Sequence, residues 1–395
     1  MSGKRILTVA QKAVSHIKKG DPLLAPLSFD EEVIFSEGEL VQVVTPVGQF
    51  LGEAYLAKQN KGIGWIYSWE QGESFDYEFF LEQFKRAKSV RKSLLHSKST
   101  DTFRLFNAEG DGIPGLTIDY YAGYAVFSWY SEGIYLYKED IVSAFREVFP
   151  AVKGVYEKRR YHQDDEDASG FIYGEKAPSP HYVKENNVLF ATYLDEGWMT
   201  GIFLDQRHVR LDLMSTYAPG KTVLNTFSYT GAFSVAAAMG GAAHTTSVDV
   251  ANRSLEKTRE QFEINGLSPE DHRIHVMDVF DYIQYAKRKD MKFDVIVVDP
   301  PSFARTKKRT FSVLKDYSAM VEDLIDISSD KGMFILSSNA ATYKRKKFRS
   351  DLEKAFRNKG IDYSIVKEYG LPEDFTTVKA NAASNYLKVF VVQKH

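Results

Sequence analysis

The order of hydrophobic and polar positions divides the chain into three regions. In residues 1–70, the runs 40–45 and 49–56 flank a turn at residues 46–48 and predict a β-hairpin. Residues 62–69 predict one more strand. Short strands joined by turns in this way predict a small β-barrel at the N-terminus.

Residues 71–190 combine helical and strand periodicity. Apolar residues recur at helical spacing over 77–94, and Ser74 is the predicted N-cap of this helix. A second helix is predicted over 134–148, ending before Pro150. Three runs predict strands, at residues 103–106, 116–119 and 124–129. The region is therefore predicted to be a central α+β domain.

From residue 191 to residue 395, predicted strands alternate with helices, which is typical of a parallel sheet with crossover helices. Helices are predicted over 232–239 and 254–264. Five strands are predicted at residues 223–224, 246–250, 273–277, 293–298 and 333–336. Two last runs, 361–366 and 386–392, are predicted to close the sheet as an antiparallel pair. The pattern indicates an α/β fold with a Rossmann-like sheet at the C-terminus.

Composition narrows the function. The 395 residues include 51 Lys+Arg and 53 Asp+Glu, a net charge of −2, which excludes a polycationic protein that wraps nucleic acid. No apolar run is long enough for a membrane span and no secretory signal is recognisable, so a cytoplasmic protein is expected. The chain has no cysteine, which excludes disulfides, thiolate metal sites and cysteine nucleophiles, and no metal site is expected.

The segment that follows the first α/β strand is the first candidate site. Residues 225–232 (NTFSYTGA) lie where ligands bind in open parallel sheets, and Gly231 would let the backbone approach a ligand closely. The single glycine is not the dinucleotide pattern G-x-G-x-x-G, so a ligand without phosphates is favoured. A plain strand-to-helix turn is the alternative.

Acidic residues follow the next three strands. Asp249 is suited to the two hydroxyls of a ribose, or else to capping a helix that begins near Asn252. Asp278 is suited to the amino group of an adenine, or else is a turn residue. Asp299 begins a rigid Asp-Pro-Pro turn whose acceptors point outward, and Phe303 is available for stacking on a base.

Two basic clusters follow the fourth and fifth strands. Such basic runs usually lie on solvent-exposed faces without a binding role. Two of them beside one edge of a sheet favour a surface that binds the phosphates of a nucleic acid, here called the phosphate track. The residues predicted to contact RNA are Phe303, Arg305, Lys307, Lys308, Arg309, Lys344, Arg345, Lys346 and Lys347.

Five stretches resemble one family, the ribosomal RNA large-subunit methyltransferase I family. They are FRLFNAEGDGIPGLTID (103–119), TGIFLDQR (200–207), LNTFSYTG (224–231), SVD (247–249) and VDPPSF (298–303). The resemblance implies a class I methyltransferase sheet over residues 191–395, a PUA-like β-barrel over 1–70 that docks RNA, and the central α+β domain over 71–190. It implies S-adenosylmethionine as cofactor, and ribosomal RNA or a ribosomal subunit precursor as partner. It leaves a homodimer open.

The resemblance also implies roles for single residues. Residues 223–232 would wrap the methionine end of the cofactor, with Gln206 and Arg207 holding that end. Asp249 and Val250 would bind the ribose, and Asp278 and Val279 the adenine. Asp299, Pro300 and Pro301 would face the target base as the catalytic group. The loop residues concerned are Asn225, Phe227, Ser228, Tyr229 and Gly231.

The chain departs from the family pattern in two places. Residues 18–22 match the usual PUA opening poorly, which weakens the case for RNA docking there. Family chemistry at cytosine C5 uses a thiolate from a Ser-Cys-Ser run after the fifth strand, whereas this chain has Ser337-Ser338-Asn339. The sequence therefore predicts methylation of a base of 23S ribosomal RNA at a nitrogen. The alternatives are a non-catalytic RNA-binding or ribosome-assembly factor that retains a cofactor pocket, a family member with altered C5 chemistry, and a methyltransferase for small molecules or proteins.

Overall fold

The computed structural model describes residues 4–59, 62–161, 168–305 and 309–395. The chain forms two compact units. The first comprises Met1–Val183, Thr192–Thr200 and Glu373–Asn385, and the second comprises Lys184–Ala191, Gly201–Pro372 and Tyr386–His395. A further boundary near residue 70, inside the first unit, stays a prediction.

The N-terminal part of the first unit is one five-stranded sheet in the order β1-β3-β4-β5-β2. Its elements are β1 (Arg5–Thr8), α1 (Gln11–Lys18), β2 (Leu23–Leu24), a 3₁₀ turn (Pro26–Ser28), β3 (Leu40–Val44), β4 (Phe50–Leu56) and β5 (Gly64–Ser68). The predicted hairpin is present, because β3 and β4 pair antiparallel from Leu40 opposite Tyr55. Val14 and Ile17 of α1 pack with the buried side chains of this sheet.

The remainder of the first unit is a second five-stranded sheet, in the order β10-β9-β8-β7-β6, with two main helices. Its elements are α2 (Tyr77–Val90), α3 (Lys92–Leu95), β6 (Thr102–Asn107), a 3₁₀ turn (Ala108–Gly110), β7 (Leu116–Tyr121), β8 (Tyr124–Trp129), α4 (Glu132–Tyr135), α5 (Lys138–Val148), β9 (Gly154–Arg159) and β10 (Ser169–Gly174). The apolar stripe of α2 is confirmed, since Phe80 and Phe84 are fully buried.

Two details of the central region were predicted wrongly. The N-cap of α2 is Asp76, whose side chain accepts from the Phe79 amide, and not Ser74. The predicted helix over 134–148 is two helices, α4 and α5. The break is fixed by Tyr137, whose ring packs edge-on against Phe75 and whose hydroxyl donates to the Gly38 carbonyl. A tertiary contact therefore overrides the helical periodicity.

The chain passes between the two units after Val183 and again after Ala191, both within a two-stranded hairpin, β11 (His181–Glu185) and β12 (Val188–Thr192). The second unit is built on a seven-stranded sheet, in the order β15-β14-β13-β16-β19-β21-β20. Its strands are β13 (Thr222–Thr226), β14 (His244–Asp249), β15 (Arg273–Val276), β16 (Phe293–Val298), β19 (Ser328–Ser338), β20 (Tyr363–Tyr369) and β21 (Lys388–Lys394).

Helices alternate with these strands, as predicted. They are α6 (Arg207–Asp212), α7 (Ala232–Met239), α8 (Arg253–Glu263), α9 (Val279–Arg288), α10 (Val313–Ile325) and α11 (Arg345–Asn358), with shorter turns at Leu204–Gln206, Leu213–Tyr217 and Pro269–Asp271. A small hairpin not predicted from the sequence, β17 (Phe303–Arg305) with β18 (Thr310–Ser312), follows β16. Among the described residues, no helix has both the length and the apolar character needed to cross a bilayer.

The α/β fold predicted from the sequence is confirmed. Strands β13, β14, β15, β16 and β19 pair in parallel, and β21 runs antiparallel to both of its neighbours, β19 and β20. The central strand β16 is apolar because both faces are covered, and its last four residues, Val295 to Val298, are buried. Parallel pairing brings the carboxyl ends of these strands to one edge of the sheet.

Candidate active site

The acidic residues and the loop that were predicted to bind the cofactor lie at this one edge. The strand order sets the ends of β14, β13, β16 and β19 side by side. Asp249 ends β14, the loop from Phe227 follows β13, Asp299 follows β16, and Asn339 follows β19. Crevices outside the carboxyl ends of parallel strands are where ligands of α/β proteins bind.

The loop after β13 has an unusual backbone. Phe227 and Tyr229 have φ of 54° and 52°, a left-handed conformation that is uncommon for residues other than glycine and costs energy. Hydrogen bonds to two other segments of the chain hold the loop in place. The Ser228 amide donates to the Val248 carbonyl at 3.0 Å, and Thr230 Oγ1 donates to the Gly201 carbonyl at 2.6 Å. Residues 200–207 and 224–231, two of the stretches quoted in the sequence analysis, are therefore in contact.

Gly231 has a packing role in addition to the ligand-binding role predicted for it, which stays a prediction. Its φ is 79°, and a Cβ atom on it would lie 2.5 Å from Cγ2 of Thr258 in α8. The space beside its α-carbon is therefore occupied by a neighbouring helix. The glycine allows the left-handed turn into α7 and the close packing of α8 against it.

Asn225, near the end of β13, and Phe227, the first residue of the loop, make contacts inside the protein. Asn225 is 1% exposed, and its Nδ2 donates to Ser234 Oγ at 3.0 Å, which in turn lies 2.6 Å from Ser247 Oγ. The Phe227 ring stacks with Phe311 at 6.1 Å between centroids. The side chains of Asn225 and Phe227 therefore stabilise the loop through contacts inside the protein.

Asp249 organises the backbone around it. Its Oδ2 accepts from the Tyr229 amide at 2.8 Å, and its Oδ1 accepts from the Ala251 amide at 2.9 Å. It does not cap α8, whose N-cap residue is Asn252. Each carboxylate oxygen has two acceptor sites, so both can still accept a bond from a ligand hydroxyl.

Asp278 is the N-cap of α9. Its Oδ1 accepts from the Phe280 amide at 2.9 Å, while its Oδ2 has no hydrogen bond to any described residue. Exposed apolar side chains adjoin both acids in sequence, Val250 at 59% and Met277 at 37% exposure. Val279 is buried in the core instead. Met277 was missed by the sequence analysis, although its place beside Asp278 was a usable signal.

Asp299 is held by two side chains from separate segments. Gln206 Nε2 donates to Oδ2 at 2.7 Å, and Ser337 Oγ donates to Oδ1 in a short hydrogen bond. Burial raises the pKa of Asp299, an effect opposed by these two hydrogen bonds and by the charge of Arg210. Ser337 and Arg210 were not predicted as site residues.

Gln206 has one unused polar atom. The residue is 4% exposed, and its Oε1 is buried without a hydrogen-bond partner in the described part of the chain. Buried amide oxygens are normally paired, so a donor is missing at this point.

Arg207 is also buried, at 3% exposure. Nearby in sequence, Arg210 makes a two-bond ion pair with Glu185, at 2.7 and 2.8 Å.

The double-proline turn leads from Asp299 toward solvent. Pro300 is buried and Pro301 is exposed. Ser302 Oγ donates to Asn339 Oδ1 at 3.0 Å, which joins the turn to the end of β19. Phe303 is 61% exposed. An uncovered aromatic ring beside a rigid turn is suited to stacking on a planar group.

The basic residues of the two clusters differ in their exposure and in whether they form ion pairs. Arg305 is exposed, and Arg309 lies 4.3 Å over the Phe280 ring. Lys307 and Lys308 lie outside the described residues. In the second cluster Arg345 pairs with Glu368 and donates to the carbonyls of Tyr369 and Leu387, and Lys347 pairs with Asp351. Lys344 and Lys346 are exposed and have no ion pair with any described residue.

Comparison with known proteins identifies the family. A family described as S-adenosylmethionine-dependent methyltransferase matches residues 145–388. The chain belongs to the S-adenosylmethionine-dependent methyltransferase family. The cofactor of this methyltransferase is therefore S-adenosylmethionine. A PUA-like domain matches residues 7–69, which confirms the expected N-terminal fold.

Relatives of the methyltransferase cover 90% or more of its length. The Bacillus subtilis protein named "Putative ribosomal RNA large subunit methyltransferase YwbD" is 48% identical and covers 99% of this chain and 100% of its own. Ribosomal RNA large subunit methyltransferase I of Aeromonas salmonicida is 30% identical over 90% of this chain and 91% of its own. The resemblance to that family is thus confirmed. A solved structure described as "a putative methyltransferase complexed with SAH" is 42% identical, with a TM-score of 0.93 over 98% of this chain and 100% of its own.

Proposed function

We propose that this methyltransferase transfers a methyl group to a base of large-subunit (23S) ribosomal RNA, acting at a nitrogen. The observation that carries the proposal is the clamped Asp299 carboxylate, which Gln206 and Ser337 hold at the start of the double-proline turn. The substrate class is supported by the names of the relatives and by the exposed Phe303 and basic side chains beside that turn.

The polar side chains at the sheet edge fit the methionine end of the cofactor. The unpaired Gln206 Oε1 can accept from an ammonium group, and the Arg207 guanidinium suits a carboxylate. The left-handed loop 227–231, including Ser228, Tyr229 and Gly231, would border this end with its backbone. Asn225 and Phe227 would act indirectly, because their contacts inside the protein fix the conformation of the loop.

The nucleoside end fits the neighbouring strand ends. The remaining lone pairs of Asp249 can accept from both ribose hydroxyls, and the free Oδ2 of Asp278 can accept from an adenine amino group. The exposed side chains of Val250 and Met277 supply an apolar surface for the ring, and Val279 would contribute through its backbone. When bound, the cofactor supplies a methyl group on a positively charged sulfur.

The residues facing the base favour a nitrogen nucleophile. Asp299, Pro300 and Pro301 present a carboxylate and carbonyl groups, which can accept from an amino group and orient its lone pair. Methylation of cytosine C5 needs a thiolate to activate the ring, and the chain has no cysteine. Asn339, an amide joined to Ser302, cannot replace that nucleophile.

RNA would be bound along the same edge. Phe303 can stack on a base, and Arg305, Arg309, Lys344 and Lys346 can contact phosphates. Lys307 and Lys308 belong to the same proposal, while Arg345 and Lys347 should contribute less because acidic partners already hold them. Docking of RNA by the PUA-like domain, a subunit precursor as substrate, a cytoplasmic location and a homodimer stay predictions.

Mass spectrometry of nucleosides tests this function. Ribosomal RNA from a strain lacking the gene should lose one base-methylated nucleoside, modified at nitrogen, and the wild-type gene should restore it. Loss of 5-methylcytosine alone would overturn the nitrogen assignment. Unchanged RNA together with no calorimetric signal for S-adenosylmethionine would favour a non-catalytic RNA-binding factor instead.

A further inference from the structure

The first unit contains a cavity whose lining includes none of the candidate active-site residues. Its volume is about 610 Å³, within the range of small-ligand sites. It is lined by the end of β5 and the segment after it, by one face of α2, and by the loop that follows β6. These segments come from separate parts of the unit, so the cavity is a product of its folding and not of one loop.

The lining is strongly acidic. Its carboxylic residues are Glu70, Glu73, Asp76, Glu78, Glu82 and Glu109, whereas Arg86 is its single basic residue. Asp76 caps α2 and Glu82 pairs with Lys85. The other four acids make no ion pair with any described residue. Phosphate groups would be repelled here, which separates this cavity from the proposed RNA track.

Gln83 provides an independent indication of a ligand. Its side chain is 8% exposed, and its Oε1 faces Gly112, another residue of the lining. Its amide makes no hydrogen bond with the described residues. The amide atoms of Gln83 keep contact with the solvent of the cavity, so a ligand bound there can replace water as their hydrogen-bond partner.

Glu109 and the aromatic side chains indicate the charge of that ligand. Burial raises the pKa of Glu109, and a nearby cation would favour its ionised form. The lining includes the aromatic residues Tyr67, Trp69 and Phe79, and aromatic rings attract cations. Lys4 already uses this chemistry, because its ammonium lies 5.6 Å over the Tyr67 ring and bonds to the Tyr67 hydroxyl.

We propose that this cavity binds an alkylammonium group. The unpaired carboxylates would balance its charge, Gln83 Oε1 would accept one of its hydrogens, and the aromatic rings would cover its methylene groups. Such a group is carried by a linear polyamine or by a lysine side chain of a basic polypeptide. The proposal is independent of the target of methylation.

Calorimetry on the full chain tests the proposal with two probes, spermidine and an acetylated trilysine amide. One saturable site is expected for at least one probe, and the tighter probe identifies the source of the ammonium. Glu109→Gln, Gln83→Leu and Glu70→Gln should each weaken binding about tenfold. Glu70 is exposed, so its variant tests the site without risk to folding.

The matched control is Glu139→Gln, which makes the same charge change on an exposed face of α5. It should leave the affinity unchanged. Equal weakening by Glu139→Gln and Glu70→Gln would mean diffuse attraction of a polycation and would overturn the proposal. Absence of saturable binding by both probes, or an unchanged affinity in Glu70→Gln, would also overturn it.

Discussion

Gln206 Nε2 donates to Oδ2 of Asp299 at 2.7 Å, across 93 residues of sequence. This bond orients the amide so that its Oε1, which lacks a protein partner among the described residues, remains free for a ligand donor. One side chain thus connects the proposed methionine pocket with the proposed catalytic turn. Its replacement should affect both cofactor binding and turnover.

Gln206→Leu should weaken the binding of S-adenosylmethionine about tenfold, because one charge-assisted hydrogen bond is lost. Turnover should also fall, since Asp299 loses one of its two side-chain donors. Isothermal titration calorimetry measures the first effect and methyl incorporation measures the second. Gln393→Leu, at the far end of β21, is the control and should change neither. Wild-type affinity in Gln206→Leu would remove Gln206 from the cofactor site.

Asp299→Asn should separate stability from activity. Because burial raises the pKa of Asp299 above 3.8, the folded state binds the proton more tightly than the unfolded state. The resulting stability is present below pH 3.8 and is lost as the pH rises through the folded pKa of Asp299. The ionised carboxylate therefore lowers the free energy of unfolding at neutral pH, and the neutral amide of Asn removes this destabilisation.

We therefore expect Asp299→Asn to melt at a higher temperature than the wild type at pH 8, with a difference that shrinks as the pH falls through the folded pKa of Asp299. Methyl transfer should fall by roughly 100-fold, because the group that orients the nucleophile has changed. Thermal unfolding of both proteins over a pH series that starts at pH 8 and descends, together with a methylation assay, checks both results. Full activity in the variant would contradict the proposed role of Asp299.

Gly231→Ala should destabilise the second unit by about 2–4 kcal/mol, from the left-handed backbone and from overpacking against Thr258. Gly266→Ala is the matched control, since Gly266 has φ of 71° but nothing within 4 Å of an added Cβ. It should lose only about 1 kcal/mol. Thr258→Ser removes the clashing methyl group and should rescue Gly231→Ala in part; denaturant unfolding of the four proteins measures this.

The strand ends of the site could be predicted from the sequence because they depend on local pattern and general topology. Strand β16 is a continuous apolar run, and parallel pairing by itself brings Asp249, Asp278 and Asp299 to one edge. Helix α7 was predicted with its observed bounds for the same reason, since its small apolar residues end at a glycine pair.

The remaining features depend on contacts between distant segments. The Ser337–Asp299 bond spans 38 residues, and no local pattern singles out Ser337 as a donor. The left-handed Phe227 and Tyr229 carry none of the glycine or asparagine that normally marks this conformation. Arg345 was predicted to contact RNA from charge alone, while the fold directs it to Glu368 and two carbonyl groups.

Lys388→Met should change how stability depends on pH. Lys388 is 4% exposed and donates to the Ala340 carbonyl at 2.7 Å. Burial, with the charge of Arg345 as the smaller cause, lowers its pKa from 10.5 to about 8. Between these values the unfolded chain binds more protons, so this lysine makes stability rise with pH and costs stability below pH 8.

The difference in unfolding free energy between wild type and Lys388→Met should therefore move in favour of the wild type by up to about 2 kcal/mol from pH 8 to pH 9.5. Lys158, whose pKa burial also lowers to about 8, is present in both proteins and cancels. Denaturant titrations at the two pH values measure the change. Parallel curves would mean that Lys388 titrates normally.

Two adjacent lysines of α11 provide the sharpest test of the RNA surface. Lys346 is exposed without an ion pair among the described residues, whereas the Lys347 ammonium lies 2.6 Å from Asp351. If RNA phosphates lie along this face, the negative slope of log affinity against log salt concentration should become shallower by about 1 in Lys346→Gln. In Lys347→Gln the slope should change less, because the charge of Lys347 is already partly neutralised by Asp351. Equal slopes for wild type and Lys346→Gln, measured by fluorescence anisotropy with a ribosomal RNA fragment, would move the RNA track away from α11.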